Sequence, residues 1–171
     1  SFFGKNWGRT TITIPIMKAI NHYHGDKDVV NSVNATEHSV MCMGGVEDEV
    51  GTFKRLISEL YPAGIVSIVS DTWDFWNVID PDNGICKQLK DIIMARDGKV
   101  VIRPDSGDPV KIVTGYTEKE ITRKDDGRIL ELFNDGSHSW YGRELTELEV
   151  KGMIQCLYEI FGGTVSSTGF K

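Results

Sequence analysis

The sequence lacks the marks of several broad protein classes. Its three cysteines, Cys42, Cys86 and Cys156, are odd in number, scattered and without metal-ligand spacing. That excludes a disulfide framework or a zinc finger and reads as buried, reduced thiols in a cytosolic protein. No apolar run approaches the roughly 20 residues of a membrane span, and no signal-peptide pattern opens the chain. Lys and Arg number 19 against 25 Asp and Glu, for a formal net charge of -6. Without a basic stripe to neutralise phosphates, a nucleic-acid partner is not expected. The chain also has no Gly-x-x-x-x-Gly-Lys loop, no nucleophile elbow, no internal repeat and no low-complexity tract.

What the sequence does have is a rhythm. With 171 residues, 40% hydrophobic and 26% charged, it can bury a core and reads as a soluble globular chain of one domain. Three short apolar runs each end in polar, chemically useful side chains: Val29 to Ala35 before Thr36-Glu37-His38-Ser39, Ile65 to Val69 before Ser70-Asp71-Thr72, and Lys99 to Ile102 before Arg103-Pro104-Asp105-Ser106-Gly107. Where buried parallel strands alternate with helices, the loops at their C-terminal ends meet on one face, and such folds keep their active sites there.

The intervening segments fit that scheme. Ile16, Met17, Ile20 and Tyr23 have helical spacing, ended by Gly25. A helix from Val46 to Tyr61 carries Val46, Val50, Phe53, Leu56, Ile57 and Leu60 on one face, with Glu47, Asp48 and Glu49 as a solvated first turn that suits the helix dipole; Pro62 stops it. The run from Gly64 to Val69 is β-branched and apolar, as in a strand covered on both faces. A helix from Ile85 to Arg96 groups Leu89, Ile92 and Ile93, and Asp97-Gly98 turns into a strand at Val100 to Ile102. Strand, helix and strand with these connections form the βαβ unit of parallel sheets and barrels.

Residues 115–143 interrupt the rhythm. Asp126-Gly127 between Glu120-Ile121-Thr122 and Arg128-Ile129-Leu130 signals a hairpin, followed by a second polar turn at Asn134 to Ser137. This is read as an excursion from the wall of the main sheet. A helix from Glu144 to Phe161 follows, with Leu145, Leu148, Ile154, Leu157 and Phe161 facing inward and Gly162-Gly163 as its cap. The chain starts without Met and stops as a new extended segment opens, so it is read as an internal piece of a longer enzyme.

His38 is the most interesting single residue. Following a strand and flanked by Glu37 and Ser39, it can act as an acid or base or take a covalent group on its ring, provided a carboxylate such as Asp71 fixes its tautomer. A structural loop histidine is the plainer alternative. His22, His24 and His138 are read as solvent-facing. In the third loop, Arg103 can pair with a phosphate or stack on a ring, Asp105 can accept hydrogen bonds from sugar hydroxyls, and Ser106 and Gly107 let backbone N–H groups approach an anion ahead of a helix. An Arg–Asp ion pair beside a Pro-Gly turn would explain the same residues. Trp73, Phe75 and Trp76 are read as core or subunit-interface packing rather than a base-stacking box.

Taken together, Ser32-Val33-Asn34-Ala35-Thr36-Glu37-His38-Ser39, Ser67-Ile68-Val69-Ser70-Asp71-Thr72-Trp73-Asp74 and Ile102-Arg103-Pro104-Asp105-Ser106-Gly107-Asp108-Pro109 closely resemble the middle of the nicotinamide phosphoribosyltransferase family. Their order, spacing and intervening helices agree from about Ile14 to Lys171. The resemblance implies a cytoplasmic, homodimeric enzyme of NAD salvage on a partial, irregular α/β barrel of the type II phosphoribosyltransferase kind. Its substrates would be nicotinamide and phosphoribosyl pyrophosphate, its products nicotinamide mononucleotide and pyrophosphate. Magnesium (Mg2+) would be held largely by the phosphates, with no dedicated protein metal site. His38 matches the histidine that ATP phosphorylates, Asp71 an acid in its pocket, Arg103 an arginine at the base and phosphate site, and Asp105 an acid near the ribose and carboxamide. Ser32, Val33 and Ser67 match residues lining the nicotinamide tunnel.

Two departures stand out. The family's Gly-Thr-Asp-Thr ahead of the helix at Pro15, whose Asp reads the amide, is met here only by Asn6 or Ile12, and Asn34 replaces the usual proline. Nicotinate therefore stands as the alternative base. The other readings are a metal-dependent barrel hydrolase or lyase using His38, Glu37, Asp71 and Asp105, and an inactive remnant that binds a partner through the Trp73–Trp76 surface. The isolated piece is expected to show no turnover.

Overall fold

A computed structural model describes residues 34–163. Ser32, Val33, His22, His24, Asn6, Ile12 and the helix expected over Ile16–Tyr23 lie outside the described residues. Three parallel strands form the central sheet in the order β1 (Asn34–Ala35), β2 (Ala63–Val69) and β3 (Asp97–Arg103). β2 runs in full register with β3, from Ala63 opposite Asp97 to Val69 opposite Arg103, and β1 pairs Asn34 with Val66 and Ala35 with Ser67. Since all three strands run the same way, their C-terminal ends share one edge.

Between β1 and β2 lie a short helix α1 (His38–Met41), two 3₁₀ turns (Cys42–Gly44 and Val46–Asp48) and helix α2 (Glu49–Arg55), which widens into a π-helical turn over Leu56–Leu60. Tyr61 N–H closes that turn on the Leu56 carbonyl at 2.9 Å, and Pro62, with no N–H to donate, ends it. Arg96 then fastens the exit: its guanidinium donates to the carbonyls of Ile57, Tyr61 and Gly64. One cation thus ties down the last carbonyls of the helix and the start of β2.

Between β2 and β3 come α3 (Phe75–Ile79), α4 (Ile85–Gln88) and α5 (Lys90–Ala95). The single helix expected over Ile85–Arg96 is divided at Leu89, whose backbone leaves helical geometry at φ -97, ψ 10. Asp97 and Gly98 belong to β3 instead of a turn. The core gathers Phe53, Leu56 and Ile57 from the α2 segment, Val66, Ile68 and Val69 from β2, and Val78, Ile79, Ile85 and Cys86 from the helices between β2 and β3, all nearly inaccessible to water. Each such side chain stabilises the fold by about 1.5–3 kcal/mol through burial.

After β3, Asp108 caps helix α6 (Pro109–Thr114), accepting from the N–H groups of Val110 at 2.9 Å and Lys111 at 3.4 Å, with Pro109 pre-set at the first position. The expected hairpin is present as β4 (Ile121–Arg123) and β5 (Ile129–Asn134), turning at Asp126–Gly127. The excursion is larger than a hairpin, because β6 (Ser139–Leu145) adds a third antiparallel strand. Glu144 and Leu145 therefore belong to β6, and helix α7 (Glu147–Phe161) begins after Thr146, which forms a reciprocal capping box with Glu149. At Gly152 the helix kinks, with φ 79 and ψ 164. The kink frees the Val150 carbonyl to accept from Tyr116 N–H at 3.0 Å, and a Cβ on Gly152 would lie 2.4 Å from the Gly115 nitrogen.

Three further expectations are corrected. Glu49 is buried instead of solvated, at 5% exposure, because α2 begins against the core. Cys42, in a 3₁₀ turn, is exposed, whereas Cys86 and Cys156 are buried as expected. Ile154 faces water, since the kink at Gly152 rotates the helix's inward face. Of the aromatic trio, Phe75 and Trp76 pack edge to face at 5.2 Å beside the core, while Trp73 points outward. No described helix is long and apolar enough to cross a membrane.

Candidate functional site

The shared edge of the parallel sheet assembles the site. Thr36, just past β1, is buried; its N–H donates to the Ser67 carbonyl at 2.9 Å and its Oγ1 accepts from Val69 N–H at 3.0 Å. Those two bonds clamp the end of β1 to β2 and launch α1 with His38 as its first residue. Ser70 N–H donates to the Arg103 carbonyl at 3.0 Å, which likewise joins the ends of β2 and β3. The three loops therefore leave a common, hydrogen-bonded rim.

On that rim the His38 imidazole faces three groups. Its Nδ1 lies 3.2 Å from Thr72 Oγ1, while its Nε2 lies 3.8 Å from Asp71 Oδ1 and 3.6 Å from Asp105 Oδ2. The ring is about half exposed, and the Asp71 side chain is only 7% exposed. Asp71 Oδ2 accepts from Asp105 N–H at 2.9 Å and from the Ser106 hydroxyl at 2.6 Å, whereas its buried Oδ1 has no hydrogen-bond partner among the described residues. Burial works against the charge on Asp71. The Ser106 and Asp105 hydrogen bonds and the His38 ring outweigh it, holding the carboxyl below its ordinary range. Asp71 is thus ionised near neutral pH, with one oxygen fixing the third loop and the other facing the histidine.

Arg103, the last residue of β3, donates from Nη2 to the Thr36 carbonyl at 2.8 Å, and its buried Nε has no partner among the described residues. An ion pair with Asp105, the plainer sequence reading, does not form in the structure. Gly107 has φ +85, a conformation that side-chain-bearing residues rarely adopt, and so turns the chain sharply into the Asp108 cap of α6. Ser67 lies in β2 between Ala35 and Val101 of the flanking strands and is buried. Glu37 stands apart. It occupies the N-cap position of α1 with an exposed side chain that does not cap the helix, and its carboxylate joins no ion pair of the cluster.

A cleft of about 560 Å³ opens beside this rim. Asp71, Ser106 and Gly107 line it together with Phe133 and Arg143 of the antiparallel sheet. The cations along it are already paired: Lys111 with Glu120, and Arg143 with Glu149 at 2.6 Å. Among the described residues no group of three or more His, Cys, Asp or Glu side chains is placed to hold a metal ion.

The model of the nicotinate phosphoribosyltransferase family matches residues 21–171, most of the chain. The chain belongs to this family. The relatives it matches include the nicotinamide phosphoribosyltransferase of Acinetobacter baylyi, 47% identical over 156 residues, which make up 87% of this chain and 26% of that protein. The enzyme of the same name from Mycoplasma pneumoniae is 49% identical over 76 residues, 44% of this chain and 16% of that protein. That of Xanthomonas campestris is 37% identical over 99 residues, 57% of this chain and 20% of that protein. The chain thus spans about a quarter or less of the length of these family members.

Within the family segment, the residues singled out from sequence fall into two groups. His38, Asp71, Asp105 and Ser106 are joined by direct contacts, with Arg103 and Gly107 shaping the same rim. Ser67 lies deeper in the strand, and Glu37 is exposed and outside these contacts. Thr36 and Thr72 were missed, although both stand within the quoted motifs. The available signal was position: each directly follows or lies close to a strand end, where a hydroxyl can complete the ladder or reach a neighbouring loop.

Proposed function

We propose that this chain carries the histidine loop and phosphate-side loops of a nicotinamide phosphoribosyltransferase of NAD salvage. The observation that carries the reading is the convergence of His38, ionised Asp71 and Asp105 at the C-terminal edge of the parallel sheet. The 47% identity with a relative of that name supports it. In this reading the sheet is part of an irregular α/β barrel, residues 115–143 are an excursion from it, and the enzyme works as a cytoplasmic homodimer.

The chemistry follows from the residue types. A ring nitrogen of His38 attacks the γ-phosphorus of ATP, the bond to the ADP oxygen breaks, and ADP leaves. Asp71 and Asp105 offset the positive charge that grows on the ring. In the ribosyl step the pyridine nitrogen of nicotinamide bonds to the anomeric carbon while the carbon–oxygen bond to pyrophosphate breaks. That passage through a cation-like sugar needs carboxylates near the ribose and cationic or N–H groups at the leaving anion. Asp105 supplies the first, and Arg103 with the Ser106–Gly107 backbone supplies the second. Magnesium would be held largely by the phosphates, and the half-exposed Asp105 carboxylate offers it a hard oxygen donor. When bound with the phosphates, magnesium would neutralise their charge.

The test is mononucleotide formation by the intact enzyme, given phosphoribosyl pyrophosphate with nicotinamide or nicotinate, with and without ATP, beside His38→Ala. Product from nicotinamide, with an ATP stimulation lost in the variant, is expected. Product from nicotinate alone would reassign the base; no product from either would return the chain to the hydrolase or remnant readings. The isolated chain is expected to show no turnover.

A further inference from the structure

We infer that Thr72 is the positioning residue that sets the ring orientation and tautomer of His38. This rests on the reading of His38 given above, but its evidence is separate. Two carboxylates lie near Nε2, at 3.8 Å and 3.6 Å, and both distances are too long for hydrogen bonds. They attract a charged ring without fixing its plane. The contact of hydrogen-bonding length is on the other nitrogen, where Thr72 Oγ1 lies 3.2 Å from Nδ1.

A neutral hydroxyl suits that place better than a third carboxylate. Its oxygen accepts from Nδ1–H when the ring is neutral, leaving the Nε2 lone pair free to attack phosphorus without adding a third negative charge. When the ring is an imidazolium, the same oxygen still accepts from Nδ1–H. Thr72 therefore holds one orientation through both protonation states, as a histidine that gains and loses positive charge requires. The hydroxyl is itself well placed. Thr72 directly follows Asp71, whose Oδ2 is tied to Asp105 N–H and Ser106 Oγ, and precedes Asp74, which caps α3 by accepting from Trp76 N–H at 3.0 Å and Asn77 N–H at 3.4 Å. The segment that carries the hydroxyl is anchored on both sides of it.

The test compares Thr72→Val, which keeps the shape and removes the hydroxyl, with Thr72→Ser, which keeps the hydroxyl. In the intact enzyme labelled with ¹⁵N-histidine and free of substrates, the His38 Nδ1 resonance should move toward that of an unbonded lone-pair nitrogen in Thr72→Val and return in Thr72→Ser. The rate of ATP-dependent phosphohistidine formation should fall about tenfold or more in Thr72→Val, with Thr72→Ser close to the parent. An unchanged Nδ1 resonance in Thr72→Val, or a Thr72→Ser variant as impaired as Thr72→Val, would overturn the assignment. The resonance is read without ATP. A parent enzyme that ATP fails to phosphorylate would therefore sink the coupling reading while the spectra still decide the part played by Thr72.

Discussion

Glu49 offers the sharpest physical test of the structure. It is the first residue of α2, is 5% exposed, and its Oε1 and the neighbouring Thr52 Oγ1 both lack hydrogen-bond partners among the described residues. Burial, and then the nearby charge of Asp74, raise its carboxyl from the ordinary 4.5 to about 7. The folded state therefore holds the proton more tightly than the unfolded chain does. The resulting stability is fully present below about pH 4.5 and is lost as pH rises through about 7. A shift of that size corresponds to about 3 kcal/mol, which solvent screening through exposed Asp74 reduces to an expected effect of about 2 kcal/mol. Glu49→Gln replaces the protonated acid by a neutral group of the same shape. Thermal unfolding of the intact protein and the variant should coincide near pH 4 and separate progressively to pH 8, with the variant more stable by about 2 kcal/mol, a difference of a few degrees in midpoint. A difference between the two proteins that stays constant from pH 4 to 8 would refute the reasoning. So would a variant less stable than the parent at pH 8.

Other outcomes follow from single contacts. Asp71→Asn weakens the attachment of the Asp105–Ser106 loop and removes the charge facing His38, so ATP-dependent phosphohistidine formation should fall about 100-fold, measured by rapid-quench labelling. Because Asp71 is held below its ordinary range, its stabilising part is present above the unfolded carboxylate value and lost as pH falls through the folded one; parent and variant should converge in stability only in strong acid. Arg96→Ala removes three bonds to carbonyls, at Ile57, Tyr61 and Gly64, and should cost about 2 kcal/mol or more in thermal or denaturant unfolding. Gly152→Ala places a Cβ 2.4 Å from the Gly115 nitrogen on a backbone with φ 79. It should destabilise by about 2 kcal/mol or more, and hydrogen exchange at Tyr116 N–H should speed up as its bond to Val150 loosens.

The parts of the fold that sequence revealed are those whose signal is local. Val66, Ile68 and Val69 announce the half of β2 that is buried on both faces, whereas Gly64 and Ile65 of the same run are exposed, and Asp126-Gly127 announces a hairpin, because backbone propensity and tertiary demand agree there. The convergence of His38, Asp71 and Asp105 was legible for a similar reason: parallel strands oblige their C-terminal loops to meet. What escaped depended on distant partners. Glu47-Asp48-Glu49 looks like a uniformly solvated helix start, and only the packing of α2 decides that the third acid is buried. Arg96 looks like any helix-end cation, because its partners are backbone carbonyls 32 to 39 positions earlier. The apolar spacing from Leu148 to Phe161 reads as one helix, and the close approach of Gly115 that bends it lies in another element. Ile154 was turned outward by the same cause.

The antiparallel sheet has a nucleus of its own: Ile121, Ile129 and Leu145, supported by Tyr116 and Val150 and set apart from the main core. A unit that supplies its own adhesion can drift without loosening its host. The tips at Asp126–Gly127 and Asn134–Ser137 are exposed turns, and insertions there should leave the parallel strands in place. They are the places to graft a reporter or an affinity handle onto this chain.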